Sequence, residues 1–177
     1  MAIHRLLLIV LCAVSIAMIG LTSTVHAESP AVFLKSLAGT WRGTGSIYIS
    51  EKSKNTPVRC KVTSTFDKTK RRLSNKGRCA TAQKKTRVSG RIGYSSSGNR
   101  LTGSYINALG EFVVTSSSGS ISGTKMTLNT TFQNKTVSKI SRTRNVVRRI
   151  SKRKFSVVIY EKVGGSYKRR GAITFTK

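Results

Sequence analysis

The sequence is poor in acid. Of 177 residues only five are Asp or Glu, against 33 Lys and Arg, for a formal net charge of +28. Histidine is as scarce, since His4 and His26 are the two and both precede residue 28. These shortages bear on chemistry. General acid–base catalysis usually recruits His or a pair of carboxylates, and zinc or calcium sites need clusters of His, Cys or carboxylate. Beyond residue 27 the acids are Glu28, Glu51, Asp67, Glu111 and Glu161, widely scattered. Ser and Thr are plentiful, but a hydroxyl nucleophile needs a base to activate it, which leaves open only a Ser–Lys arrangement. The reading is a protein that is not an enzyme and carries no metal and no cofactor. Proline occurs twice, at Pro30 and Pro57, and no long stretch repeats with a 3.6-residue period. Long helices are therefore not expected.

The first 27 residues read as a secretory signal peptide. Met1 to Arg5 is a short basic start, Leu6 to Leu21 is apolar, and Val25-His26-Ala27 offers small residues where a signal peptidase reads. The alternative is an uncleaved anchor, for which the apolar run falls short of the roughly 20 residues a span needs. A lipoprotein site is not expected, because Cys12 lies within the apolar run and follows Leu11. Cleavage near Ala27 removes one Arg and no acid, which takes the net charge from +28 to +27. The location expected is periplasmic or secreted. Cys60 and Cys79 then remain, and in an oxidising compartment they read as one disulfide. Two free buried thiols are the alternative.

Residues 28–177 read as one domain. Short alternating segments recur at intervals of roughly 8–14 residues, punctuated by Gly, Ser and Thr, which is an all-β pattern. One short helix is expected at Pro30 to Leu37, capped by Ser29. In the segment Val58 to Asp67, residues Val58, Cys60, Val62, Ser64 and Phe66 share a face. Folding it back through a turn at Lys68 to Arg71 sets Cys60 opposite Cys79, Val62 opposite Gly77, Ser64 opposite Asn75 and Phe66 opposite Leu73. It leaves Lys61, Lys76 and Arg78 outside. Directly opposed residues of a hairpin come close enough for a disulfide.

A three-residue loop at Gly164-Gly165-Ser166 sets Phe155 opposite Phe175, Val157 opposite Ile173, Ile159 opposite Gly171, Glu161 opposite Arg169 and Val163 opposite Tyr167. A third hairpin pairs Arg87 to Tyr94 with Leu101 to Asn107, with Gly90 opposite Tyr105. A fourth turns at Gly123-Thr124. A first strand at Trp41 to Ser50 and a basic one near Val137 to Arg149 complete the count. The expectation is a single antiparallel meander barrel of about 8–10 strands with a short N-terminal helix.

The opening Leu37-Ala38-Gly39-Thr40-Trp41-Arg42-Gly43 resembles the Gly-x-Trp start of calycins, the superfamily of lipocalins, fatty-acid-binding proteins and avidins. The resemblance implies that a short helix precedes the first strand, that Trp41 closes one barrel end, and that a basic residue of the last strand packs on it. Arg169 is that residue in the register above. The opening also looks like nitrobindin-type haem barrels, but those use a His ligand and none follows residue 27. Leu101-Thr102-Gly103-Ser104-Tyr105 looks like an avidin strand, but avidins line their biotin site with several Trp and this chain has one. Neither haem nor biotin is expected.

Two interior features follow from the registers. Glu161 and Arg169 would form an inward pair, either orienting a polar ligand or neutralising the cation under Trp41. The second reading is preferred, since buried pairs of this kind add little net stability. Tyr94, Tyr105, Asn75 and Ser64 also turn inward, as filler or as the lining of a small pocket. On the surface, Lys139, Arg142, Arg144, Arg148, Arg149, Lys152, Arg153 and Lys154 fall within sixteen positions. Such an excess of one sign attracts polyanions.

The function expected is an exported cationic binding protein for anionic polymers or lipid headgroups. Nucleic acid is not favoured, because no stacking aromatic lies between Phe132 and Phe155. Peripheral membrane contact would be electrostatic adsorption. The alternatives are a calycin-type carrier of a small ligand and a protein-directed module of inhibitor or virulence type. Nothing in the sequence sets an oligomeric state.

Overall fold

Each strand of this protein is hydrogen-bonded to its neighbour in sequence, and the last closes on the first. The computed structural model describes residues 28–48, 55–97, 100–107, 112–134 and 140–177, apart from the side chains of 104–107, 112, 113 and 134. The expected signal peptide, the position of Lys139 and the side chain of Tyr105 lie outside the described residues. The elements are a helix α1 (Pro30–Ser36) and ten strands: β1 (Gly39–Ile47), β2 (Thr56–Asp67), β3 (Arg72–Ala80), β4 (Lys85–Tyr94), β5 (Leu101–Asn107), β6 (Phe112–Ser122), β7 (Lys125–Asn134), β8 (Ile140–Ser151), β9 (Lys154–Val163) and β10 (Ser166–Thr176). They form one closed antiparallel meander barrel. Closure removes the sheet edges that would otherwise invite pairing with another chain.

The helix begins where its caps are. Ser29 is extended, its Oγ accepts from the Val32 N–H at 3.4 Å, and Pro30 fills the first turn. It ends after two turns, with the Leu37 and Ala38 amides donating to the Leu34 and Lys35 carbonyls. Phe33, Leu34 and Leu37 are wholly buried and plug one end of the barrel. Trp41 lies against this plug and donates its indole N–H to the Leu37 carbonyl at 2.9 Å. Its ring meets Phe155 edge-on with centroids 4.6 Å apart, and Phe155 stacks on Phe175 at 4.8 Å. Gly43 makes room for that stack, since a Cβ there would stand 2.6 Å from the Phe175 ring. Fully buried aromatics of this size dominate a small core.

The β2–β3 hairpin has the expected register throughout, from Cys60 opposite Cys79 to Phe66 opposite Leu73. The cysteines are bonded, with Cα atoms 4.0 Å apart. The β6–β7 turn at Gly123-Thr124 is also as expected, with Ser122 opposite Lys125.

Two hairpins differ from expectation, each through a bulge. At the C-terminus the loop is the two residues Gly164 and Gly165, both at positive φ, as tight hairpin turns require. Ser166 then pairs with Val163, and one extra residue, Arg170, enters β10 between Arg169 and Gly171. A two-residue loop plus a bulge uses the same number of residues as a three-residue loop. The pairs from Gly171 onward are therefore as expected, and those before it are slipped by one. In β4–β5 the pairs Tyr94–Leu101 and Ile92–Gly103 hold, but Arg91 then faces Ser104 and Ser89 faces Asn107. Two residues of β5 thus oppose Gly90 alone. Gly103, at φ +108°, lies two residues before this bulge and still pairs in register with Ile92; a Cβ there would strike the Arg91 carbonyl.

Candidate functional site

Alternation sends every second residue of β1–β4 to solvent, and on these strands the outward residues are largely cationic. Arg42, Arg59, Lys61, Lys76, Arg78, Lys85, Arg87 and Arg91 are all exposed. The registers set four of them in one line. Arg42 stands opposite Lys61, Lys61 opposite Arg78, and Arg78 opposite Arg87. Directly opposed residues in antiparallel strands have Cα atoms roughly 4.5–5.5 Å apart, so the line spans about 15 Å of the wall.

Like charges opposed in this way weaken a sheet. Even in bulk water two charges 4 Å apart repel by ~1 kcal/mol before salt screens them. The one acid on this wall among the described residues is Asp67, at the end of β2, opposite Arg72 and 3.9 Å from Lys70. The positions flanking the line carry hydroxyls. Thr40, Thr63 and Ser89 fall level with Lys76, and Thr44 falls level with Arg59.

Of the basic run read from the sequence, five residues are exposed, Arg144 and Arg149 are half-buried, and Lys139 lies outside the described residues. Arg142 and Arg148 face solvent on β8, and Lys152, Arg153 and Lys154 are exposed around the β8–β9 turn. Arg144 lies over the Tyr167 ring at 4.0 Å and donates from Nε to Asn129 Oδ1 at 2.9 Å. Arg149 is not a free surface cation. It donates a 2.7 Å hydrogen bond to Glu28 Oε1, forms an ion pair with the same carboxylate, and sits 5.6 Å from the Phe33 ring centroid, where it fastens the plug. A run of charge along a strand cannot occupy one face, because neighbours point opposite ways.

The plugged end requires a further correction. Arg169 is exposed and stands opposite Tyr160, so it neither pairs with Glu161 nor packs on Trp41. The extra residue in β10 turned it outward. Glu161 instead accepts a 2.8 Å hydrogen bond from Arg170 Nε, the bulged residue itself. The cation over Trp41 is Lys177, just past the last strand, with Nζ 4.6 Å from the ring centroid. The position expected from the resemblance is thus filled from a different residue.

Among the described residues four polar side chains are buried inside the barrel: Ser64, Asn75, Thr130 and Asn145. Ser64, Asn75 and Gly90 face one another across β2, β3 and β4. At Gly90, where β5 bulges away, a cleft of about 420 Å³ opens in the wall. It is bordered by Asn75, Gly90, Gly103 and Val114, with Lys76 and Arg91 at its rim. Of the residues expected to line a pocket, Asn75 borders this cleft, while the side chain of Tyr105 lies outside the described residues. Tyr94 is half-buried against the apolar core instead. Among the described residues no three His, Cys, Asp or Glu side chains cluster as a metal site would require.

The strand row Arg42–Lys61–Arg78–Arg87 was missed in the sequence because it depends on three registers at once. Its signal was present in one hairpin, where the alternation already placed Lys61, Lys76 and Arg78 outside.

No protein-family model matches the sequence, and no curated protein matches it. Solved structures do resemble it. An S-type phycobiliprotein lyase from Guillardia theta superposes with a TM-score of 0.61 at 8% identity, over 85% of this chain and 93% of that one. A redesigned β-barrel, mFAP1, bound to DFHBI, matches with a TM-score of 0.43 at 10% identity, over 85% and 100% of the two chains. At such identity the likeness is one of fold. A closed antiparallel meander, a short helix before its first strand and a buried Trp41 under a cation are the architecture that the resemblance to calycins led one to expect.

Proposed function

We propose that this protein is an exported cationic binding protein that holds anionic polymers or lipid headgroups on the outer wall of its barrel. One observation carries the reading: four exposed cations stand directly opposed across four adjacent strands with no carboxylate among them. The barrel does not need them. Any hydroxyl or amide would serve the outer face equally well, and opposed cations cost stability that a bound polyanion restores. The Cys60–Cys79 disulfide supports an extracytoplasmic location. Binding of this kind requires no reacting group.

The test is salt. If about six charges are neutralised, affinity for duplex nucleic acid falls with a log–log slope near −5, and other polyanions show a comparable dependence. Flat salt dependence for every polyanion tried would remove the reading.

The cleft at Gly90 favours a second reading, a carrier whose small ligand enters through the wall. Its volume suits a small amphipathic molecule. Thermal-shift titration with such compounds tests it. A stabilisation that Asn75→Leu abolishes supports a ligand there, and no shift with any compound removes it.

A further inference from the structure

We infer that the line Arg42–Lys61–Arg78–Arg87 is a track for a flexible linear chain of tetrahedral oxyanions, phosphate or sulfate, lying across the strands. The inference rests on the binding function proposed above and states where on the wall the polymer lies and what it is.

The chemistry of the row points to oxyanions. Three of its four members are Arg, whose planar fork matches phosphate-type oxygens with paired N–H donors. Hydroxyls adjoin the row on both sides. Thr40 and Thr63 share a 3.3 Å hydrogen bond beside it, Ser89 lies level with Lys76, and Thr44 lies level with Arg59. Ser89, Thr44 and whichever of Thr40 and Thr63 accepts in their mutual bond each keep a donor for an oxyanion. Among the described residues no outward side chain of β1–β4 is aromatic, and the exposed Tyr48 lies six positions beyond Arg42, so nothing beside the row offers a base a stacking partner.

The shape of the wall points to a flexible chain. Strands of a barrel tilt against its axis, so a line perpendicular to them winds obliquely around a convex surface. A bilayer or a rigid duplex meets a convex surface over only part of that line, whereas a flexible chain follows it. The row also lacks anything to enter a bilayer. The exposed large apolar side chains among the described residues are Val32, Tyr48, Ile140 and Ile150, and none belongs to the row. A repeat of about 5 Å between cations suits a polymer with a charged group on every unit or every second unit.

The experiment compares two double variants of equal charge in the full mature chain. Lys61→Gln/Arg78→Gln removes the centre of the row. Lys152→Gln/Arg153→Gln removes two cations from the β8–β9 turn. Affinity is measured at several salt concentrations for long-chain polyphosphate, dextran sulfate, a short DNA duplex and anionic phospholipid vesicles. Polyphosphate and dextran sulfate separate the phosphate from the sulfate source, and binding of either supports the track. The row variant should lose about tenfold for whichever chain binds, with its salt slope shallower by about 1 to 2. The turn variant should lose less than threefold. Unfolding temperatures of both variants, measured alongside, show that neither has failed to fold. Equal losses in the two variants would overturn the track and leave the general binding function standing. Tighter binding of duplex or vesicles than of either chain would also overturn it. No binding of any probe at low salt would overturn both.

Discussion

Two walls of the same barrel, β1–β4 and β6–β7, are built on one alternating pattern and present opposite chemistry. On the first, cation faces cation. On the second, Ser116 faces Thr131, Ser118 faces Asn129, Ser120 faces Thr127, and Ser122 faces Lys125. The inner faces of both walls supply the same apolar core, with Val62 and Leu73 on one side and Met126 and Leu128 on the other. Folding therefore constrains the inner half of each strand and leaves the outer half free to vary. Charge present for solubility alone would spread over both walls. Cations also stand exposed on β8–β10, at Arg142, Arg148 and Arg169 among others, but the line of four directly opposed cations lies on β1–β4, and that is the wall proposed to face a partner.

The comparison can be broken first at the scaffold the walls share. Trp41→Ala should destabilise the barrel by about 3–5 kcal/mol, measured by denaturant unfolding. It should leave the affinity of the remaining folded molecules for polyanions unchanged, since Trp41 belongs to neither outer face. A lost affinity at full folding would mean that the binding site lies at the plugged end.

Next in size is the staple under the cationic wall. Removing the Cys60–Cys79 bond by Cys60→Ala/Cys79→Ala should cost about 2–4 kcal/mol. The β6–β7 wall keeps no such bond, so hydrogen exchange should rise in β2 and β3 well before β6 and β7. Uniform exchange across all ten strands would contradict this.

The stability cost of the row itself is smaller. Lys61→Gln/Arg78→Gln should raise stability at low ionic strength by up to about 1 kcal/mol, a gain that fades in high salt. A loss of stability would show that the cations contribute to the fold. The smallest effect is expected from making the hydroxyl wall resemble the other. Ser120→Lys/Thr127→Lys creates one opposed cation pair and should cost a few tenths of a kcal/mol. Polyanion affinity should rise less than threefold, because a lone pair does not make a track.

Much of this fold was readable from local pattern. The β2–β3 hairpin was legible because Cys60, Cys79 and the alternation all demanded one register. The helix was legible because Ser29 and Pro30 mark its start and Gly39 lies just past its end. What escaped was set by single residues. A two-residue turn with Arg170 bulged out has the same residue count as a three-residue loop. Nothing in the sequence of β10 separates them, and the difference moved Arg169 from the interior to solvent. The β5 bulge likewise falls after Ser104, opposite Gly90, where the even alternation of the sequence gives no sign of an extra residue.

The site was less legible than the fold. Of eight basic residues close together in sequence, Arg142, Arg148, Lys152, Arg153 and Lys154 are exposed, while the Glu28 contact draws Arg149 in. Four cations up to 45 positions apart, from Arg42 to Arg87, formed the denser array. Proximity in sequence is a poor guide to a surface assembled from many strands.

The central claim is that the opposed row on β1–β4 binds polyanions. The most direct test is the salt slope for long-chain polyphosphate, measured for residues 28–177 and for the same residues with Arg42→Gln/Lys61→Gln/Arg78→Gln/Arg87→Gln. A slope shallower by about 3 to 4 in the variant, with its barrel intact by circular dichroism, is the result predicted. Equal slopes and affinities for the two proteins would contradict it.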